Sequence, residues 1–177
     1  MSKSARPLLK ITYAAICLAL ALLLPLLTFQ QQPIGNALCP MHLPVLLCGF
    51  LCGWPYGLAI GCIAPLLRFL LFGMPPLMPI GLSMSFELAT YGAMAGILYS
   101  LLPKKYPYLY LSLVSSMLLG RIVWGFAQFF LNNLQHTEFP FSAFLSGAFI
   151  TALPGILLQI LLIPPILLAL KKAKLLD

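Results

Sequence analysis

Apolar positions along this chain fall in long, nearly unbroken runs. They do not recur at the spacing of a helix or strand with one solvated face. Six runs stand out: Ile11 to Phe29, His42 to Cys52, Leu58 to Phe72, Pro79 to Leu102, Tyr108 to Leu131 and Phe141 to Leu170. Gly, Pro and polar residues break the chain between them, at Gln30 to Met41, Gly53 to Gly57, Gly73 to Pro76, Lys104-Lys105 and Asn132 to Pro140. Such runs have no solvated face to offer water. In a bilayer they are workable, because helices there satisfy their own backbone and approach closely at small residues. The pattern predicts an all-α membrane protein of six transmembrane helices, in a single domain over residues 1–177. The last run is long enough to tilt or to bend at Pro154 and Pro164.

Charge sets the expected orientation. Eight of the ten Lys and Arg lie at the N-terminus (Lys3, Arg6, Lys10), between the fourth and fifth runs (Lys104, Lys105) or at the C-terminus (Lys171, Lys172, Lys174). None lies in the other breaks that the topology places outside, so both termini are expected on the cytoplasmic side. The first run is longer than a signal-peptide core and no convincing cleavage site follows it, so it reads as a retained helix. The net charge of +7 does not point to nucleic acid, because the basic residues flank apolar runs. Composition agrees: 62% of residues are hydrophobic and 7% charged, against about 25% charged in soluble domains. The five Cys lie mostly inside apolar runs without His or carboxylate neighbours in sequence. They read as small packing residues, outside any site, and no metal or cofactor is expected in this chain.

Three charges fall inside the runs: Arg68, Glu87 and Arg121. A charge at membrane depth is costly and needs a partner. The short break between the third and fourth runs makes Arg68 the expected partner of Glu87, as a structural ion pair. That leaves Arg121 free for a carboxylate or phosphate on a ligand. Arg121, Trp124, Gln128 and Asn132 are spaced i, i+3, i+7 and i+11, on one helix face. A charge, an indole and two amides on one face fit a small-molecule pocket. Tyr91 and Gln159 join them as candidate binding residues; Ser83, Thr90 and Thr151 are weaker ones, each equally readable as an interhelical hydrogen bond. Ala15 and Ala19 form a small-residue stripe on the first helix. It reads either as internal packing or as a surface for another helix. Gly92 and Gly96, with Ala89 and Ala93, mark close packing on the fourth.

The ordered motifs His42-Leu-Pro-Val-Leu-Leu-Cys-Gly, Gly53-x-x-x-Gly57, Ala64-Pro-Leu-Leu, Gly73-Met-Pro-Pro and Glu87-Leu-Ala-Thr-Tyr-Gly-x-x-Ala-Gly resemble the substrate-binding S component of energy-coupling factor (ECF) vitamin transporters. The likeness covers nearly the whole chain and is most specific over residues 42–96. It implies a prokaryotic plasma-membrane subunit that captures a vitamin on the extracellular side. The pocket walls would come from the first outer loop, Asn36 included, and from helices four to six. The resemblance also makes Ala15-x-x-x-Ala19 a docking motif for the transmembrane coupling subunit, which works with two ATPase subunits; this chain has no nucleotide-binding motif of its own. The Gly- and Pro-rich stretch Gln30 to Met41 is expected to gate the pocket.

An unpaired Arg121 favours a carboxylate vitamin, with pantothenate the best match, over riboflavin or another uncharged vitamin. Two other classes compete. An intramembrane enzyme at Gly81-Leu82-Ser83-Met84 would need a base at depth. His42 is expected at a helix start and His136 in a loop, so no enzyme and no catalytic residue is expected. A self-contained carrier or channel would be expected to show a clear inverted repeat, which the chain lacks.

Overall fold

The computed structural model describes residues 5–28, 37–103, 105–137 and 139–173. Most of these residues are helical, with no strand among them. The first helix, α1 (Ala5–Leu23), tightens at its end into a 3-10 turn, Leu24–Thr28, where Pro25 has no N–H for an α-helical bond. The second, α2 (His42–Cys52), matches the expected bounds. The third, α3 (Trp54–Phe72), begins four residues earlier than expected. Gly53 alone makes the turn, at φ 97°, and Pro55 sits in the first helical turn, where its missing donor costs nothing. Gly73, in the left-handed region at φ 70°, closes α3 by donating to the Phe69 carbonyl at 2.8 Å.

A wide turn, Leu77–Gly81, leads into α4 (Leu82–Leu101). It is followed by α5 (Tyr106–Leu134), whose 29 residues exceed the expected span at both ends. At 1.5 Å per residue α5 outreaches a hydrocarbon core of about 30 Å. The sixth run divides into α6 (Phe141–Leu145), a wide turn Ser146–Ile150, and α7 (Leu153–Lys172). The break falls just before Pro154, which occupies the first turn of α7. Pro164 and Pro165 lie inside the unbroken helix.

Among the described residues, four segments are long and apolar enough to cross a membrane: Pro7–Leu26, Trp54–Phe72, Tyr106–Leu134 and Phe141–Lys172. At 11 residues α2 is short for a span. It is buried along nearly its whole length. One of its faces joins α1, α3 and α4 through Val45, Cys48 and Cys52. The other joins α4, α5 and α7 through Leu46, Leu47 and Phe50.

Helix α4 is the hub, packed against α2, α3 and α5. Its Gly92 lies against the backbone of Gly57 on α3, and a Cβ on either would enter the other's peptide. This is the close approach that the glycine spacing predicts. Large apolar residues face outward instead, among them Leu70, Phe126, Phe130, Ile150 and Leu161. Small residues at the closest helix contacts and large apolar ones on the outer surface fit a bundle solvated by lipid. None of the cysteines among the described residues is joined in a disulfide.

Candidate functional site

The rotation of α4 determines the site. Leu88 and Gly92 face α3, where Gly61 and Gly57 receive them. Successive residues turn by about 100° in an α-helix. Glu87 therefore faces away from α3, toward α2 and α5. There its Oε1 meets Arg121 Nη1 of α5 at 3.0 Å and His42 Nε2 of α2 at 3.3 Å. All three side chains are buried. Tyr91, one turn along α4, is also buried, and the His42 ring lies edge-on to it with centroids 5.2 Å apart. The Tyr91 ring rests on Gly120, where any Cβ would overlap it. Gly120 thus lets the hub helix bring its phenol beside Arg121.

The expected Arg68–Glu87 pair does not form. Arg68 is buried on α3, and its Nη1 donates to the Leu22 carbonyl at 3.1 Å. Its guanidinium also lies over the Phe72 ring, 5.6 Å from the centroid. The Leu22 carbonyl belongs to the last turn of α1, where carbonyls lack helical partners and the dipole favours a cation. The short α3–α4 connection brings the two helices together, but their glycine-lined faces turn Glu87 to the other side. Arg121 is thus the residue paired with the acid.

Two further groups complete the cluster. Arg121 Nη2 donates to Cys39 Sγ at 3.4 Å, and Gln159 Nε2 of α7 donates to the Cys39 carbonyl at 3.5 Å. Gly155 of α7 lies against the carbonyls of Ala37 and Leu38, which seats this helix on the end of the first loop. Cys39 was expected to lie outside any site, and His42, which stands at the start of α2 as expected, was not counted as a binding residue. Both are buried partners here. The residue motif beginning at His42 was the available signal. A second was that His42 is the one histidine in the six apolar runs, which hold a single acid.

The α5 face divides in two. Arg121 and Gln128 are buried, while Trp124 and Asn132 are half-buried. Asn132 Nδ2 donates to both the carbonyl and Oε1 of Gln128, at 2.8 Å each. Trp124 stacks on Phe144 of α6, centroids 6.3 Å apart, and meets Phe139 edge-on at 6.0 Å. Ser83 and Thr90 donate to carbonyls of their own helix region, Ile80 and Phe86, and Thr151 is exposed. Asn36 and residues 30–36 of the expected gate lie outside the described residues; Ala15 and Ala19 are exposed on α1.

Several buried polar atoms of the cluster find no hydrogen-bond partner of good geometry among the described residues: His42 Nδ1 and Nε2, Tyr91 Oη, Arg121 Nε, Gln159 Oε1 and Glu87 Oε1. Buried polar groups are normally satisfied. A lipid-solvated helical bundle around such a cluster defines an integral membrane protein with a polar interior. A family-wide sequence profile described as "ECF transporter, substrate-specific component" matches residues 9–167, and the chain belongs to that family. It is therefore a transport subunit and not an enzyme. No curated protein and no solved structure matches the chain.

Proposed function

We propose that this substrate-specific subunit captures a small carboxylate vitamin, pantothenate or a compound of that type, beside Glu87, Arg121, His42 and Tyr91. The observation that carries the reading is the set of buried polar groups on Arg121, Tyr91 and His42 around a single acid, several of whose atoms lack a well-formed hydrogen bond. A carboxylate offers only acceptors and suits such a set. Gln159 Oε1, an unpartnered acceptor, suits a hydroxyl or amide N–H elsewhere on the ligand. Arg121 can turn part of its guanidinium fork to an incoming anion while Glu87 keeps its contact with His42. Trp124, Gln128 and Asn132 extend the pocket toward the aromatic end, with Asn36 and the first loop as a gate on the extracellular side.

In the same reading both termini are cytoplasmic in a multi-pass prokaryotic plasma-membrane protein. Ala15 and Ala19 dock on the coupling subunit, and two ATPase subunits drive uptake. The exposure of both alanines supports a docking role over internal packing.

A second reading, riboflavin or another uncharged vitamin, rests on the fact that Glu87 already neutralises Arg121. Calorimetry of the purified chain with pantothenate, nicotinate, biotin, riboflavin and thiamine separates the two. Tight binding of one carboxylate compound, lost in its amide or ester, is the expected result. Binding of riboflavin or thiamine alone overturns the charge class. Uptake by vesicles containing this chain alone would instead mark a self-contained carrier.

A further inference from the structure

At the lysine-rich end of the bundle, away from Glu87, a cavity of about 420 Å³ opens between α4, α5 and α7. Tyr99, Lys105, Tyr106, Leu109, Leu167, Leu168 and Lys171 line it. We propose that this cavity holds one anionic phospholipid, with its phosphate between Lys105 and Lys171 and its acyl chains on the leucines.

Three features select that occupant. The charge is of one sign: two lysines line the cavity and no acid does. The interior is hydrocarbon: Leu109 and Leu167 are buried at its base, and Leu168 is half-buried. A soluble anion would use none of this apolar wall, and a neutral hydrocarbon would use neither lysine. The level is that of the headgroups: Tyr106, Tyr108 and Tyr110 are exposed around the start of α5, and tyrosines concentrate where the bilayer meets water. Basic pockets between helices at this level recognise anionic headgroups. The cavity also lies within the range of about 300–1,000 Å³ usual for small-molecule sites.

The test is native mass spectrometry of the full chain, extracted from vesicles of equal phosphatidylglycerol and phosphatidylcholine. One retained phosphatidylglycerol is expected, preferred by roughly thirtyfold if each lysine contributes as basic residues near anionic surfaces do. Lys105→Gln with Lys171→Gln should abolish the preference, and the corresponding Arg pair should keep it. Lys10→Gln with Lys172→Gln removes the same charge elsewhere and should leave most of it. Leu168→Trp, which fills the apolar part and spares the lysines, should also expel the lipid. Melting temperature checks that each variant is folded. Equal retention of both lipids overturns the proposal, as does equal loss in the Lys10/Lys172 control. Displacement by millimolar inorganic phosphate would show an anion site with no acyl requirement and would overturn the lipid assignment.

Discussion

Two arginines among apolar helices are each 5% exposed, and they are held in different ways. Arg68 is satisfied by the Leu22 carbonyl at the end of α1 and by the Phe72 ring. Its neighbours Leu70 and Leu71 are exposed, so its charge lies near the rim of the bundle. Arg121 is satisfied by side-chain groups from other elements, Glu87 of α4 and Cys39 ahead of α2. The first arrangement uses backbone dipoles that any helix end supplies, and it draws no other side-chain charge inside. The second brings an acid, an imidazole, a phenol and an amide into one polar interior. Both answer the cost of a charge in a bilayer, but only the second leaves unpartnered polar atoms that a ligand can use.

The largest expected effect tests that contrast directly. Arg121→Ala leaves Glu87 buried with His42 alone and should destabilise the protein by roughly 3–5 kcal/mol, the range for stranding one member of a buried pair. Pairing Arg121→Met with Glu87→Leu should recover most of the loss, because both charges then leave together. Thermal melting in detergent reads both. If the single variant melts no lower than Arg68→Ala, the two sites are energetically alike and the comparison fails.

Arg68→Ala comes next, at about 1.5–3 kcal/mol, as for a hydrogen bond made by a charged group. It should leave ligand affinity unchanged, since Arg68 faces α1. Affinity lost at an unchanged melting temperature would give Arg68 the binding role assigned to Arg121.

His42→Gln should cost only about 1 kcal/mol, because an amide can still donate to Glu87. Its signature lies in binding: affinity for a carboxylate vitamin should fall while affinity for an uncharged one stays level, by calorimetry. A parallel fall for both would make His42 a packing residue.

Ala15→Leu should change stability least, within about 0.5 kcal/mol, as for other surface substitutions. Ligand binding should persist while co-purification with the coupling subunit is lost. A variant that still assembles and supports uptake would remove α1 from the docking surface.

The helices were legible from sequence because each rests on a local property. A run with no polar face has to be buried in lipid, and Gly or Pro ends it. Thus α2 falls at its expected bounds, and the errors collect at ends such as Trp54, where one glycine makes the turn expected of five residues. The glycines of α3 and α4 were also readable, since only a missing Cβ allows such contact. The arginine partners were not. Chain proximity favoured Arg68 for Glu87, and Glu87 has a position in sequence but no direction until α4 is docked.

Sequence by itself determined the class of molecule, the helical segments and the few residues able to carry charge at depth, because hydrophobic burial and backbone satisfaction act locally. Only the tertiary structure decided which of those residues meet. Docking Gly92 on Gly57 sets the rotation of α4, and that rotation turns Glu87 toward Arg121 and His42. The pairing depends on the angle of one helix against three others, an angle set by contacts far apart in the chain.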